Sequence, residues 1–204
     1  MRPRPLRVAL TGGIATGKSY CLQQLIAMGA PAVDADRLAH AALAPGSPGA
    51  AEALAAFGTV DRGELGALVF HNADARRVLE GIIHPRVYQG IEEWFSGLKA
   101  TAPFGIADIP LLFETSRERD FDRVIITSCR LDQQIERLQD RGLSRGDAEA
   151  RISTQFPFED KLKRAKSAGI DVNVIDTSGT TEETDRQIRR VIDVLGSLPP
   201  RVCS

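Results

Sequence analysis

Apolar and polar positions along the chain follow two rhythms. Short apolar runs at Val8-Ala9-Leu10, Pro31-Ala32-Val33, Ile106-Ala107-Asp108-Ile109, Val124-Ile125-Ile126 and Val172-Asn173-Val174-Ile175 read as strands. Between them, apolar residues recur at the three- and four-residue intervals of amphipathic helices. Leu22, Leu25 and Ile26 set the first helix, with Gly29 where a C-terminal cap belongs. Leu38, Ala39 and Leu43 set the second, which Pro45-Gly46-Ser47-Pro48-Gly49 breaks. The rhythm is then helical through residue 102. Leu54 and Phe57 mark one helix, Leu65, Leu68 and Val69 another, and Val78, Leu79, Ile82 and Ile83 a third. His84-Pro85 is expected to turn the chain into a further helix striped by Val87, Ile91, Trp94, Phe95 and Leu98. Leu131, Ile135 and Leu138 predict a helix ending near Gly142, Ser144 caps the next, and Pro157 interrupts it. A charged helix follows, and Ile188, Val191, Ile192 and Leu195 define the last one.

Strands alternating with helices imply a parallel sheet covered on both faces. The expected α/β core spans residues 6–44, 103–130 and 169–198. A helical insertion occupies 45–102 and a charged helical hairpin 131–168. No internal repeat or low-complexity segment is present.

The turn from the first strand to the first helix is the most informative stretch. Gly12-Gly13-Ile14-Ala15-Thr16-Gly17-Lys18-Ser19 matches G-x-x-x-x-G-K-[ST] in full, in the required strand–loop–helix setting. Glycines let the chain curl until successive backbone N–H groups aim at one anion. Lys18 then reaches the β- and γ-phosphates of a nucleoside triphosphate, and the Ser19 hydroxyl holds Mg²⁺.

Composition narrows the partners. The chain has 204 residues with a formal net charge of −1, which argues against a global field for nucleic acid. Its three cysteines, Cys21, Cys129 and Cys203, show no CxxC pairing or metal-ligand spacing. Buried free thiols suit a cytoplasmic protein. The apolar run after the basic Met1-Arg2-Pro3-Arg4-Pro5 is too short for a signal peptide, and no run is long enough to span a membrane.

Several charged residues are candidates for the chemistry. Asp34 and Asp36 stand at the carboxyl end of the second strand, the edge where α/β sheets hold ligands. A carboxylate there either takes a proton from an attacking hydroxyl or caps the following helix, and spacing alone does not choose. Asp108 ends an apolar run, as does an aspartate that holds metal through water. Glu114 follows Leu111-Leu112-Phe113 and either faces the crevice or sits in a surface turn. Arg137 and Arg141 share a helix face and suit the charge that develops on transferring phosphoryl oxygens. The lysines after residue 160 read as surface. His84 reads more readily as a structural hydrogen-bonding residue than as a catalyst, and His40 and His71 show nothing distinctive. Asp176-Thr177-Ser178-Gly179 is either a turn or an approach to the nucleotide base.

Together these segments resemble the dephospho-coenzyme A kinase family. The resemblance rests on Leu10-Thr11-Gly12-Gly13-Ile14 and the loop after it, on Val33-Asp34-Ala35-Asp36-Arg37-Leu38-Ala39, and on His84-Pro85. It continues through Ile109-Pro110-Leu111-Leu112-Phe113-Glu114, Gln134…Arg137…Arg141 and Arg151-Ile152…Gln155. It implies a P-loop kinase fold with a five-stranded parallel core, a helical acceptor domain and an arginine-bearing lid. It further implies transfer of the ATP γ-phosphate, with Mg²⁺, to the ribose 3′-hydroxyl of dephospho-coenzyme A. By that match Asp36 is the catalytic carboxylate and Arg141 a lid arginine; Lys18 of the loop completes the expected catalytic set, and Asp36, His84, Leu112 and Glu114 are the candidate acceptor-binding residues. Thr177 departs from the pattern, which often has Asn nearby. The rival readings are another small-molecule kinase, for a nucleoside monophosphate or sugar acid, and a GTP-dependent switch. The latter requires an Asn-Lys-x-Asp motif, which the sequence lacks.

Overall fold

The computed structural model describes residues 3–99, 101–199 and 201–202, so Met1, Arg2, Cys203 and the His71 side chain lie outside the described part. In chain order the elements are β1 (Pro3–Arg4), β2 (Leu6–Gly12), α1 (Lys18–Ala27), β3 (Ala32–Asp34), α2 (Ala35–Ala42), α3 (Pro48–Phe57), α4 (Arg62–His71) and α5 (Ala73–Gly97). Then come β4 (Phe104–Asp108), β5 (Arg123–Ser128), α6 (Leu131–Gln139), α7 (Arg145–Ser153), α8 (Phe158–Ser167), β6 (Asp171–Asp176), α9 (Thr181–Ser197) and β7 (Arg201–Val202). A five-stranded parallel sheet runs in the order β3-β4-β2-β5-β6. The chain divides into two compact units, Met1–Val33 with Leu98–Ser204, and Asp34–Gly97.

In the sheet unit, β2 is central. Val8, Ala9 and Leu10 are wholly buried, which is why the strand reads as an unbroken apolar run. Leu25 of α1 and Ile188, Val191 and Leu195 of α9 pack with Val8, Leu10, Ile106 and Ile125. Full burial of a side chain such as Ile188 contributes about 1.5–3 kcal/mol. Thr180 and Glu183 close a reciprocal capping box that starts α9. Cys21 lies in the same core, and burial pushes its thiol up to about 12, so it stays protonated and inert.

The chain ends meet in a pairing that the apolar pattern does not foreshadow. β1 and β7 form a two-stranded antiparallel ladder. Asp122 lies beside it and takes two hydrogen bonds from Arg4 at 2.6 and 3.0 Å and one from the Arg7 N–H at 2.8 Å. Burial alone pushes the Asp122 carboxyl up. The Arg4 and Arg7 bonds and the nearby Arg4 and Arg201 charges outweigh it, leaving the group below its ordinary value.

In the helical unit each helix start has a side-chain device. Asp34 caps α2, Ser47 caps α3 with Pro48 in its first turn, and Asp61 caps α4. The expected break at His84-Pro85 does not occur, because α5 continues through Pro85 to Gly97. Proline removes one helical N–H and crowds the preceding turn. Ile82, Val87, Ile91 and Phe95 nevertheless form one buried stripe across it, and the Arg86 guanidinium donates to the Ile82 carbonyl in the loosened turn. Apolar burial on both sides of the proline outweighs the local defect.

Candidate active site

The glycine-rich loop joins β2 to α1 at the carboxyl end of the central strand. Gly12 must lack a side chain, since a Cβ there would stand 2.0 Å from Thr127 Oγ1. Gly17 takes φ 80° as the N-cap of α1 and has no side chain to cap it. The first-turn N–H groups of α1 are therefore left for an anion, in line with the helix dipole.

The loop is braced from segments far away in sequence. The Thr16 hydroxyl donates to the Gly13 carbonyl at 2.7 Å and lies within hydrogen-bond distance, 2.7 Å, of the Thr127 hydroxyl. Thr177, buried just beyond β6, donates its hydroxyl to the Thr16 carbonyl at 2.9 Å. Arg137 on α6 bonds the Ala15 carbonyl at 3.1 Å, Thr177 Oγ1 at 3.0 Å and the Thr177 carbonyl at 2.8 Å. Part of this guanidinium thus shapes the loop. Gln155, in the elbow between α7 and α8, accepts the Ile14 N–H at 2.7 Å. Thr127, Thr177 and Gln155 carry no local signature as braces. Gln155 stood within the family pattern and Thr177 at a departure from it, but neither clue revealed the contact.

Lys18 projects to the end of β4, where both Asp108 oxygens accept from its ammonium at 2.7 and 2.6 Å. Leu10 and Asp108 are register partners in neighbouring strands, which sets this pair. A cavity of about 290 Å³ above the loop is lined by Gly12 through Tyr20 together with Pro110, Arg141 and Gln155. The exposed Arg141 guanidinium makes no hydrogen bond or ion pair to the described residues, and neither does the Ser19 hydroxyl. Tyr20 donates to Asp185 at 2.7 Å, and that bond pushes its phenol up to about 12.

The segment after β4 departs from a surface reading. Leu112 is wholly buried and offers no face to a ligand, whereas its neighbour Leu111 is exposed. Glu114 accepts the Phe156 N–H at 3.1 Å and meets Lys161 at 3.0 Å. Lys161 is buried, contrary to the expectation that the lysines after 160 are surface, while Lys163 and Lys166 are exposed. Lys161 shares the inward stripe of α8 with Ala165, and Glu114 supplies its countercharge. The pair fixes the elbow that carries Gln155.

In the helical unit the two aspartates separate. Asp34 accepts from the Asp36 and Arg37 N–H groups at 2.8 and 3.3 Å, so it is the helix cap. The Asp36 carboxylate is exposed and has no partner among the described residues. His84 lies on α5 with its ring centroid 5.9 Å from that of Tyr88.

Comparison with known proteins gives a consistent result. The family model of dephospho-CoA kinase matches residues 6–182. A dephospho-CoA kinase from Geobacillus kaustophilus is 37% identical over 197 residues, covering 92% of this chain and 95% of that one. A crystal structure from Thermus thermophilus superposes with a TM-score of 0.78 at 31% identity, covering 94% of this chain and 98% of that one. The dephospho-CoA kinase from Campylobacter jejuni gives a TM-score of 0.67 at 25% identity, covering 93% and 96%.

Proposed function

We infer the function from one premise: the chain belongs to the dephospho-CoA kinase family. It moves the γ-phosphate of ATP to the ribose 3′-hydroxyl of dephospho-coenzyme A, yielding coenzyme A and ADP in the last step of coenzyme A biosynthesis. The observation in the site that supports this most directly is the braced glycine loop sharing a cavity with Arg141, a guanidinium with no partner among the described residues.

In the proposed mechanism the loop N–H groups and Lys18 hold the β- and γ-phosphates, and Lys18 leaves Asp108 to do so. Arg141 stabilises charge on the transferring group, while Arg137 holds the loop in shape and turns its remaining N–H groups toward the nucleotide. The phosphoryl-transfer transition state is loose, so positioning and electrostatics carry most of the rate. Asp36 takes the proton of the attacking hydroxyl, an effect of about 10²- to 10⁴-fold. On the acceptor side, His84 joins Asp36, whereas Leu112 and Glu114 act by shaping their segment.

The donor set fits Mg²⁺. Ser19 offers a hard hydroxyl oxygen with no partner among the described residues, and Asp108 offers a carboxylate at the end of β4. No cluster of three His, Cys, Asp or Glu among the described residues could hold a metal alone, so the nucleotide phosphates would complete the shell. Bound there, the ion neutralises charge on phosphoryl oxygens. We place the enzyme in the cytoplasm; among the described residues no helix is long and apolar enough to cross a membrane.

The test is a panel of acceptors with ATP and Mg²⁺, read by mass spectrometry. Dephospho-coenzyme A gains one phosphate. Phosphorylation of a nucleoside monophosphate or sugar acid, with none on dephospho-coenzyme A, overturns the assignment.

A further inference from the structure

The Gln155 carboxamide has two ends, and the fold uses only one. Its oxygen accepts the Ile14 N–H at 2.7 Å. A backbone N–H can only donate, so this contact fixes the oxygen toward the loop and the amide nitrogen away from it. The two N–H donors on that nitrogen have no partner among the described residues. Gln155 also lines the cavity that holds Lys18, Ser19 and Arg141.

The elbow that carries Gln155 is anchored firmly. Phe156, the next residue, gives its N–H to Glu114, and Glu114 faces the buried Lys161 ammonium. Pro157 then fixes the chain at the start of α8. These contacts hold a side chain with unspent donors against the phosphate loop.

The N–H groups at the start of α1 suit the inner phosphates, as any helix N-terminus does. Ile14 lies on the opposite limb of the loop, before the Gly17 cap. Gln155 extends that limb, converting one backbone donor into two that stand farther out. We propose that Gln155 is a γ-phosphate-binding residue: its oxygen stays on the Ile14 N–H while its amide group donates to the phosphoryl group being transferred.

The proposal rests on the kinase reading, but direct nucleotide binding tests it without an acceptor. Gln155→Glu is the discriminating substitution. A carboxylate retains an oxygen for the Ile14 N–H and therefore keeps the brace, but it places negative charge where the donors stood. ATP affinity should fall on the order of a hundredfold, because like charges then meet, while ADP affinity stays within about twofold. Gln155→Ala, which loses brace and donors together, should weaken ATP by about tenfold and lower kcat. If Gln155→Glu binds ATP as the unchanged protein does, or if ADP weakens as much as ATP in either variant, the γ-phosphate assignment is overturned and Gln155 only props the loop. If the unchanged protein binds both nucleotides but leaves dephospho-coenzyme A unmodified, the kinase reading fails separately from this one.

Discussion

α1 and α2 each follow a strand of the parallel sheet, and they start in opposite ways. α2 is capped from within, since the Asp34 side chain satisfies the Asp36 and Arg37 N–H groups. α1 is capped by Gly17, which has no side chain to give. A helix that caps itself has used its anion site, whereas one that begins at glycine keeps that site for a ligand. The bracing follows the same division. The loop before α1 is tied down by Thr127, Arg137, Gln155 and Thr177, all distant in sequence. The start of α2 needs only its own aspartate, and this leaves Asp36 uncommitted. Residues that shape the loop are bonded, whereas the Ser19 hydroxyl, Asp36 and Arg141 have no side-chain partner among the described residues.

The sharpest way to break this comparison is to exchange the two aspartates' fates. Asp36→Asn should lower turnover by about 10²- to 10⁴-fold with melting temperature and ATP affinity unchanged. Asp34→Ala, by contrast, should cost about 1 kcal/mol of stability through the lost cap. Steady-state kinetics beside thermal melts separate the two, and a large stability loss in Asp36→Asn would reverse the assignment.

On the loop side, Thr177→Val preserves shape but removes the hydroxyl between the Thr16 carbonyl and Arg137. Leaving those buried groups short of a partner should cost about 1–3 kcal/mol in denaturant unfolding and weaken ADP as well as ATP. Unchanged unfolding and unchanged ADP affinity would mean the loop holds its shape without the brace.

The smallest effect belongs to a region outside both helix starts. Asp122 is held below its ordinary value in the fold, so the unfolded chain binds the extra proton. The resulting stability is present above the carboxylate's unfolded value and is lost as pH falls through the folded one. Arg4→Ala should reduce that acid-dependent loss, cost on the order of 1 kcal/mol at neutral pH and leave nucleotide affinity untouched. Melts recorded from pH 7 downward check it; parallel curves for the two proteins would remove Arg4 from the clamp.

Legibility in the sequence followed the range of the interaction. The strand–loop–helix motif was readable because spacing alone encodes it, and the apolar runs located the strands of the parallel sheet. Pro85 misled because the rule for proline is local, while the stripe from Ile82 to Phe95 that keeps α5 continuous acts through packing. Lys161 misled because a charge was taken as exposed, when its position on α8 points inward and its countercharge lies at Glu114, far back in the chain. The choice between Asp34 and Asp36 depended on which carboxylate turned back on its own helix, a dihedral matter that spacing does not record. Thr127 and Thr177 are single polar residues near strand ends, and no periodicity distinguishes a brace from a turn.

The contact between Lys18 and Asp108 has a thermodynamic consequence for selectivity. A phosphate that takes the ammonium does so by substitution, displacing a carboxylate already 2.6 Å away. Binding at this lysine is therefore an anion exchange whose free energy is the difference between two ion pairs. A small solitary oxyanion gains little from such a swap. In the proposed mechanism a polyphosphate chain engages the α1 N-terminus and Arg141 as well, and would thereby recover what the exchange costs.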